Sequence, residues 1–522
     1  MISAISHLAR LARAGFVFAR EGVLALVDPT PLPPPARTAL KLARIIERRN
    51  GTSAEHRLST ALTRLGPAYV KLGQFLATRP DVVGMALAHD LEALQDRMAP
   101  FPQADAEAVV AAALGKPLTQ AYATFGTAVA AASIAQVHRA EIATPEGPRP
   151  VAVKVLRPDV ERRFAADMQA FVFAAEMAEG LSAEARRLRL IETVATMRRS
   201  VAIEMDLRLE AAALSEMAEN TQDDPDFRVP AVDWDRTAKD VLTLEWIDGT
   251  PLNDRASLEA KGFDLPALAA SVIQTFLRHA LRDGFFHADM HPGNLFVDDD
   301  ARLVAVDFGI MGRLGPKERR FLAEILYGFI TRNYLRTAEV HFEAGYVPAH
   351  HSVENFAQAI RAIGEPIHNR TAEDISMAKL LMLLFEVTSL FDMRTRPELL
   401  LLQKTMVVVE GVARSLDPKL DMWTVSEPVV REWMERHLGP AGRIENAAQG
   451  AVGFLAGVPS LLSRGATLIE QLDAATRDGL VLAPETVAAI GRAEAHRSRW
   501  TALALWTIAA VLLVLLVQVL WS

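Results

Sequence analysis

The chain has 522 residues, a formal net charge of −8 at pH 7, a hydrophobic content of 50% and no cysteine. This length supports two or three domains with an ample core. The negative charge argues against nucleic acid as a partner, because neutralising phosphates requires a basic surface. The lack of cysteine excludes disulfides, zinc-thiolate sites and thiol catalysis.

Residues 1–38 are predicted to form an amphipathic segment followed by a proline-rich linker. Arginines interrupt the apolar residues of Met1 to Val27, which argues against a secretory signal. The pattern suits a helix on a membrane surface and a helix on a protein domain equally well. Five prolines between Pro29 and Pro35 then end the helix.

Residues 39–120 are predicted to form a helical extension that carries Lys71-Leu72-Gly73-Gln74. Lys71 and Gln74 are three residues apart and therefore share one helical face, beside an apolar stripe. Taken alone, this pattern is also typical of an ordinary amphipathic helix with a solvated lysine and glutamine.

A compact unit is predicted over residues 121–250, beginning with an alanine-rich loop. The loop has the register of the phosphate-binding pattern G-x-G-x-x-G-x-V, with alanine at all three glycine positions. Alanine adds a methyl group and disfavours the positive φ angles that let backbone N–H groups approach phosphates closely. The predicted nucleotide-binding residues of this loop are Ala130, Ala132, Ser133, Ala135 and Val137.

Lys154 ends the apolar run Val151-Ala152-Val153-Lys154, which matches the V-A-I-K strand of kinases. A lysine in a buried strand needs a carboxylate or a nucleotide phosphate as partner, whereas a surface lysine on an edge strand needs none. The helical residues that follow supply candidate carboxylates at Glu204, Asp206 and Glu210, of which the last two share a face.

Val241 to Gly249 is predicted to be a strand that runs into a turn, where a two-lobed kinase has its hinge. Backbone groups near Glu245 and Trp246 are therefore predicted to pair with adenine.

The most informative stretch lies in the predicted C-lobe, residues 251–440. His287-Ala288-Asp289 followed by Asn294 reproduces H-x-D-x-x-x-x-N, and Asp307-Phe308-Gly309 follows thirteen positions after Asn294. Each motif alone could occur by chance, but the two together are specific. The stretch between them reads as a β-hairpin. Asn294 and Asp307 are predicted Mg²⁺ ligands, and Asp289 is predicted to orient a nucleophile.

The region from Gly309 to about Gly439 is predicted to be helical and lacks the A-P-E tripeptide that closes the activation segment of protein kinases. Residues 441–499 are predicted to form a helical juxtamembrane region. The uncharged residues 500–521 are predicted to span a bilayer. Arginines precede this span and nothing basic follows it, which places the catalytic body on the cytoplasmic side of a membrane.

Taken together, these motifs resemble the UbiB family of atypical kinase-like proteins of ubiquinone biosynthesis. Lys71 to Gln74 is similar to the K-x-G-Q motif of that family, the alanine-rich loop to its A-loop, and Glu204-Met205-Asp206 to its E-x-D motif. Relatives usually have glycine where this chain has Ala135. The resemblance covers roughly residues 65–309, plus the C-terminal membrane anchor.

The resemblance implies an α+β, two-lobed protein-kinase-like fold with a helical N-terminal extension over the active site and a C-terminal transmembrane helix. It implies ATP and Mg²⁺ as cofactors, and Lys154 contacting phosphates while paired with Glu210. It also implies that Lys71 and Gln74 sit over the cleft as regulatory residues, near Glu204 and Asp206.

Three functions follow as expectations. The favoured one is an ATPase or small-molecule kinase at the bacterial inner membrane, acting on lipid-like quinone precursors, with other ubiquinone-biosynthesis proteins as candidate partners. A conventional protein kinase and a nucleotide-binding scaffold are the alternatives. The oligomeric state is left open.

Overall fold

A computed structural model describes residues 2–26, 47, 57–77, 91, 98–181, 186, 189–367, 387, 390–393 and 397–439. The chain divides into two compact units, Met1–Met434 and Glu435–Ser522. The second unit lies almost entirely outside the described residues, and with it the predicted juxtamembrane region and membrane span. Among the residues that are described, no helix has the length and apolarity needed to cross a bilayer.

The secondary structure alternates long helices with short strands. The helices are α1 (Ile2–Arg20), α2 (Arg57–Leu65), α3 (Pro67–Ala77), α4 (Gln103–Leu114), α5 (Leu118–Ala121), α6 (Val160–Leu181), α7 (Leu190–Glu204), α8 (Leu207–Asn220), α9 (Arg255–Ala260), α10 (Leu265–Arg278), α11 (Pro316–Ile330), α12 (Tyr334–Glu343), α13 (Val353–Ile367), α14 (Pro397–Leu416) and α15 (Met422–Leu438). The strands are β1 (Thr124–Ala131), β2 (Ala135–Thr144), β3 (Gly147–Leu156), β4 (Phe227–Arg228), β5 (Val241–Glu245), β6 (Thr250–Pro251), β7 (Phe285–His287), β8 (Leu295–Val297), β9 (Leu303–Ala305) and β10 (Met311–Arg313).

An antiparallel sheet in the order β1-β2-β3-β5 forms the N-lobe. In β3, buried valines alternate with the less buried Ala152 and Lys154, as expected where one sheet face packs on a core. The valines join a buried cluster with Val110 of α4, which contacts β3 and β5. The opposite face of β3 is thus left to present Lys154 to the cleft.

The N-terminal helices pack against the helices that follow this sheet. Helix α1 lies on α2 and α6, and α3 lies on α6 and α7. An edge-to-face contact between Tyr69 and Phe171, with ring centroids 4.9 Å apart, joins α3 to α6. The first helix thus packs on a protein domain, and its contact with a membrane surface stays a prediction.

The C-lobe surrounds two small sheets that shape the catalytic segment. One has the order β4-β9-β8-β6 and contains the predicted hairpin, and the other pairs β10 with β7. Helix α10 ends in a π-helical turn at His279–Asp283, and Gly284 then adopts a φ of +66° to start β7. Helix α14 packs along α10 and also contacts β10.

Because β7 and β10 are closely paired, we expect a larger side chain at Gly312 to destabilise the protein. Gly312→Ala places a methyl group inside the ring of Phe286, which is fully buried. We expect a loss of stability of about 1–3 kcal/mol or more, measured by urea unfolding. Gly411→Ala is the control, because a methyl group there meets no atom within 4 Å and the helical position gains about 0.5–1 kcal/mol. Equal stability of the two variants would contradict this packing.

Candidate nucleotide and metal site

Lys154 of β3 lies at the centre of a cluster of three charged side chains. Its Nζ atom lies 2.8 and 3.0 Å from the two carboxylate oxygens of Glu210, in the first turn of α8. The same Nζ lies 3.3 Å from Oδ2 of Asp307. The backbone N–H of Phe308 donates to Glu210 at 3.4 Å. One ammonium therefore joins β3, α8 and the segment after β9.

Burial and charge act in opposite directions on this cluster. Burial would lower the pKa of Lys154, but Asp307 and Glu210 raise it overall. Burial would raise the pKa of Asp307, yet Lys154 and the N–H of Gly309 lower it to about 2. Burial raises the pKa of the Glu210 carboxyl, against the opposing effect of Lys154. The lysine is thus held charged beside an ionised Asp307.

His287 connects the catalytic loop to the D-F-G segment. Its Nδ1 accepts the backbone N–H of Asp289 at 3.0 Å, so its Nε2 carries the proton that it donates to the carbonyl of Asp307. Burial lowers the pKa of His287, which favours this neutral form. The ring also packs edge-to-face on Phe308, with centroids 5.0 Å apart.

Asp289 is positioned by Asn294. The Nδ2 atom of Asn294 donates to the carbonyl of Asp289 at 3.1 Å and to its Oδ2 at 3.2 Å, which leaves the amide oxygen of Asn294 as the group for a metal. The backbone carbonyl of Asn294 accepts a hydrogen bond from the N–H of Val306 at 3.1 Å. Asn294 is therefore paired with the residue that directly precedes Asp307.

The donors in this arrangement fit Mg²⁺. The Asp307 carboxylate and the Asn294 amide oxygen are the hard oxygen ligands that Mg²⁺ prefers. The side chain of Asp307 is 45% exposed, which leaves it accessible from the cleft, and its Oδ1 is oriented by the N–H of Gly309 at 3.0 Å. A nucleotide bound by Lys154 would meet a metal held by these two residues.

The alanine-rich loop is the turn between β1 and β2, and it is closed on itself. The N–H of Ala132 donates to the carbonyl of Ala135 at 2.8 Å, and Ser133 and Ala135 are buried. Ala130 and Val137 pair across the strands. No loop alanine has a positive φ among the described residues. The conformation therefore does not require glycine, contrary to the cost expected from the sequence pattern.

Two residues that the motifs did not indicate hold this loop. The guanidinium of Arg157 donates to the carbonyl of Ala132 at 2.8 and 3.1 Å and to that of Ala99 at 2.9 Å. The buried Gln136 accepts the N–H of Phe101 at 2.9 Å and lies 2.9 Å from Nε2 of His138. A single arginine just after the lysine strand was the only available signal.

The backbone N–H groups of the predicted hinge have partners within the protein. The N–H of Glu245 donates to Ala231 at 2.8 Å, and that of Trp246 donates to Pro150 at 3.4 Å. The Glu245 carboxylate pairs with Arg228 at 3.0 Å. These two N–H groups therefore donate within the N-lobe. The pairing of backbone groups near Glu245 and Trp246 with adenine stays a prediction.

The predicted regulatory residues do not all pair with one another: Lys71 pairs with Glu204, whereas Asp206 pairs elsewhere. Lys71 of α3 forms a salt bridge of 2.6 Å with Glu204 at the end of α7, and both side chains are only 11% exposed. Asp206 instead caps α8 through the N–H of Arg208 and pairs with that arginine at 2.7 Å. Gln74 is half-buried on α3. Glu204 lies six residues before Glu210, so the α7–α8 junction joins Lys71 to the Lys154 cluster.

Helix α14 supplies a further contact that the motifs did not reveal. The hydroxyl of Thr405, which is fully buried, is shared between the carbonyl of Leu401 in its own helix at 2.8 Å and the carbonyl of Ala288 within the H-x-D motif at 3.1 Å. Helix α14 thus supports the catalytic loop from the helical part of the C-lobe. A lone threonine in an apolar helix carries no sequence signal for this role.

Removing Lys154 should strongly destabilise the protein. Lys154→Met leaves the buried Glu210 without its cation, so we expect a loss of roughly 3–5 kcal/mol in urea unfolding. Adding Mg²⁺ should restore part of it, because the metal replaces the missing positive charge. Lys239→Met is the control, since its 2.7 Å pair with Glu161 is solvent-exposed and should change stability by less than about 1 kcal/mol. A similar small loss at Lys154 would contradict the cluster.

Two family models and a solved structure match large parts of this chain. Residues 93–341 match the ABC1 atypical kinase-like domain, and residues 360–421 match the UbiB helical domain. A solved structure titled as the complex of Rv3197 with erythromycin from Mycobacterium tuberculosis superposes with a TM-score of 0.51 at 25% identity, covering 76% of this chain and 98% of that one. The kinase-like α+β fold expected from the sequence is therefore confirmed.

The sequence relatives extend over most of the chain. A probable protein kinase UbiB of Marinobacter nauticus is 39% identical over 448 residues, which cover 85% of this chain and 81% of the relative. A protein of the same name from Xanthomonas euvesicatoria is 40% identical over 445 residues, which cover 83% and 79%. The motif resemblance is thus confirmed, and the chain belongs to the UbiB family of atypical kinase-like proteins.

Proposed function

We propose that this protein is an ATP-dependent atypical kinase or ATPase that uses Mg²⁺. The observation that carries the proposal is the cluster in which Lys154 bonds both Glu210 and Asp307. Phosphoryl transfer depends mainly on positioning and on charge stabilisation, and this cluster provides a cation beside a metal-binding carboxylate.

The side chains divide this work. Lys154 binds the phosphate oxygens of the nucleotide, while Glu210 fixes the direction of the ammonium through two hydrogen bonds. Asp307 and Asn294 hold Mg²⁺, which offsets the negative charge of the phosphates when bound. Asp289, held by Asn294, orients the acceptor hydroxyl or water and receives its proton.

We further propose that the protein acts at the bacterial inner membrane on lipid-like precursors of ubiquinone. Three features support this view: the uncharged run of residues 500–521, the basic residues before it, and relatives that bear the name UbiB. The lack of an A-P-E tripeptide between Gly309 and about Gly439, where it would close an activation segment, disfavours peptide as the acceptor.

The assignment of Asp307 as a metal ligand predicts what happens when its negative charge is removed. Asp307→Asn should abolish Mg²⁺-dependent ATP binding and phosphate release, because it removes the carboxylate that offsets a divalent ion. Thermal shift with Mg-ATP and phosphate release are the measurements. Asp299→Asn is the control, because this 85%-exposed carboxylate in the neighbouring turn only pairs with Lys261 at 3.4 Å. Unchanged Mg-ATP stabilisation in folded Asp307→Asn would overturn the assignment.

The salt bridge of Lys71 predicts a coupling between the extension and the site. If the extension opens in response to lipid, ATPase activity of the wild type should rise with liposomes or a precursor-like phenol. Lys71→Ala should respond less or be active without them. Glu204→Gln should behave alike, because it breaks the same 2.6 Å pair. Lys317→Ala, on an exposed position of α11, should respond like the wild type. Identical responses of all four proteins would refute the coupling.

The membrane proposal predicts the behaviour of a chain ending at Arg499. This truncated protein should keep its ATPase activity but fail to support quinone synthesis in a cell that depends on it. Fusing it to an unrelated transmembrane helix should restore synthesis, because only the location was lost. Full complementation by the unfused truncation at matched abundance would show that the last segment does not anchor the enzyme.

A further inference from the structure

Two adjacent histidines and an aspartate converge on the surface of the C-lobe, outside the nucleotide site. His350 and His351 occupy the turn that precedes α13, and Asp392 lies about forty residues later. Nε2 of His351 lies 3.3 Å from Oδ2 of Asp392, and Nε2 of His350 lies 3.8 Å from the same oxygen. One ligand atom from each residue lies within 4.8 Å of the other two.

These separations are close to those that a bound metal ion imposes. Zinc binds imidazole nitrogen and carboxylate oxygen at about 2.0–2.2 Å, so two ligand atoms of a tetrahedral site are roughly 3.3–3.5 Å apart. The pair of His351 and Asp392 already has this spacing. A small rotation of the exposed His350 would bring the third atom into place.

The surroundings hold two of the ligands and leave the third side open. The His351 side chain is 20% exposed, and its ring lies 5.3 Å from that of Phe391. Phe391 belongs to the buried cluster under α12 and α13. Asp392 has a φ of +47°, in the left-handed region that aspartate adopts more readily than most non-glycine residues. His350 and Asp392 are more than two-thirds exposed, so water can complete the coordination.

The two imidazoles are placed so that one ion can reach both. Their ring centroids are only 4.1 Å apart, and an Nε2 atom of each ring lies near one carboxylate oxygen. A metal ion binds such rings as neutral ligands through these nitrogens. Nitrogen ligands select zinc, nickel or cobalt over Mg²⁺, which separates this site from Asn294 and Asp307.

We propose that His350, His351 and Asp392 form a binding site for a divalent transition-metal ion, with Zn²⁺ as the favoured ion. Three protein ligands and at least one water complete it. The ion cross-links the turn before α13 to the 390–393 segment and so fastens Phe391 into the core of the helical region.

Equilibrium dialysis of the untagged full-length protein against Zn²⁺ tests the proposal. The experiment is run without nucleotide and in excess Mg²⁺, so that oxygen-ligand sites are occupied by magnesium. We expect one Zn²⁺ per chain and a fall in affinity of about ten-fold or more in His350→Ala, His351→Ala and Asp392→Ala. His7→Ala controls for other surface histidines and should bind as the wild type does.

A second measurement does not depend on changing His351, the least exposed of the three ligands. His350→Ala removes an exposed side chain and should fold normally, so loss of its Zn²⁺-induced thermal stabilisation reports binding alone. Co²⁺ in place of Zn²⁺ should give visible absorption in the wild type that is absent in this variant. If the wild type and His350→Ala bind Zn²⁺ equally, or neither binds, the three residues are only a hydrogen-bonded cluster and the proposal is wrong.

Discussion

The bonding of one ammonium to two carboxylates organises the catalytic half of the molecule. Lys154, Glu210 and Asp307 come from β3, α8 and the end of the β8–β9 hairpin, and the pairs lie at 2.8 and 3.3 Å. Separating Lys154 from Glu210 leaves two largely buried charges without their nearest partner, which is costly, and Asp307 binds the same ammonium from a more exposed position. The positions of the N-lobe sheet, of α8 and of the D-F-G segment are thus constrained together, and the cluster keeps a net negative charge that suits a metal ion.

Hydrogen bonds around this cluster fix the atoms that would perform the chemistry. His287 links Asp289 to the carbonyl of Asp307, and Asn294 links Asp289 to the hairpin. Thr405 supports the same loop from α14. Because these donors and acceptors are satisfied in the folded protein, the proposed nucleotide binding would need little reorganisation of these groups. The helical region supports the candidate site through Thr405.

Local patterns in the sequence predicted the local structure well. The hairpin and the alternation of β3 follow from short apolar runs and turn residues, and the H-x-D and D-F-G motifs lie where those elements place them. Pairings between distant residues could not be read in this way. Glu204 rather than Asp206 meets Lys71, since a helix boundary falls between the two acidic residues. The hinge N–H groups likewise donate to the carbonyls of Ala231 and Pro150, which the local sequence of the hinge does not reveal.

The alanine-rich loop shows how such distant contacts change the meaning of a local motif. A glycine-rich loop works because it is free to adopt positive φ and to close over phosphates. Here the Arg157 guanidinium donates to the Ala132 carbonyl, and Gln136 accepts the backbone N–H of Phe101. These two side chains hold the turn, and none of its described residues has a left-handed conformation. Rigidity supplied by side chains then replaces the freedom supplied by glycine. Alanine in this loop is consistent with a nucleotide site that is preformed, in which binding relies on Lys154 and the metal ligands more than on loop closure.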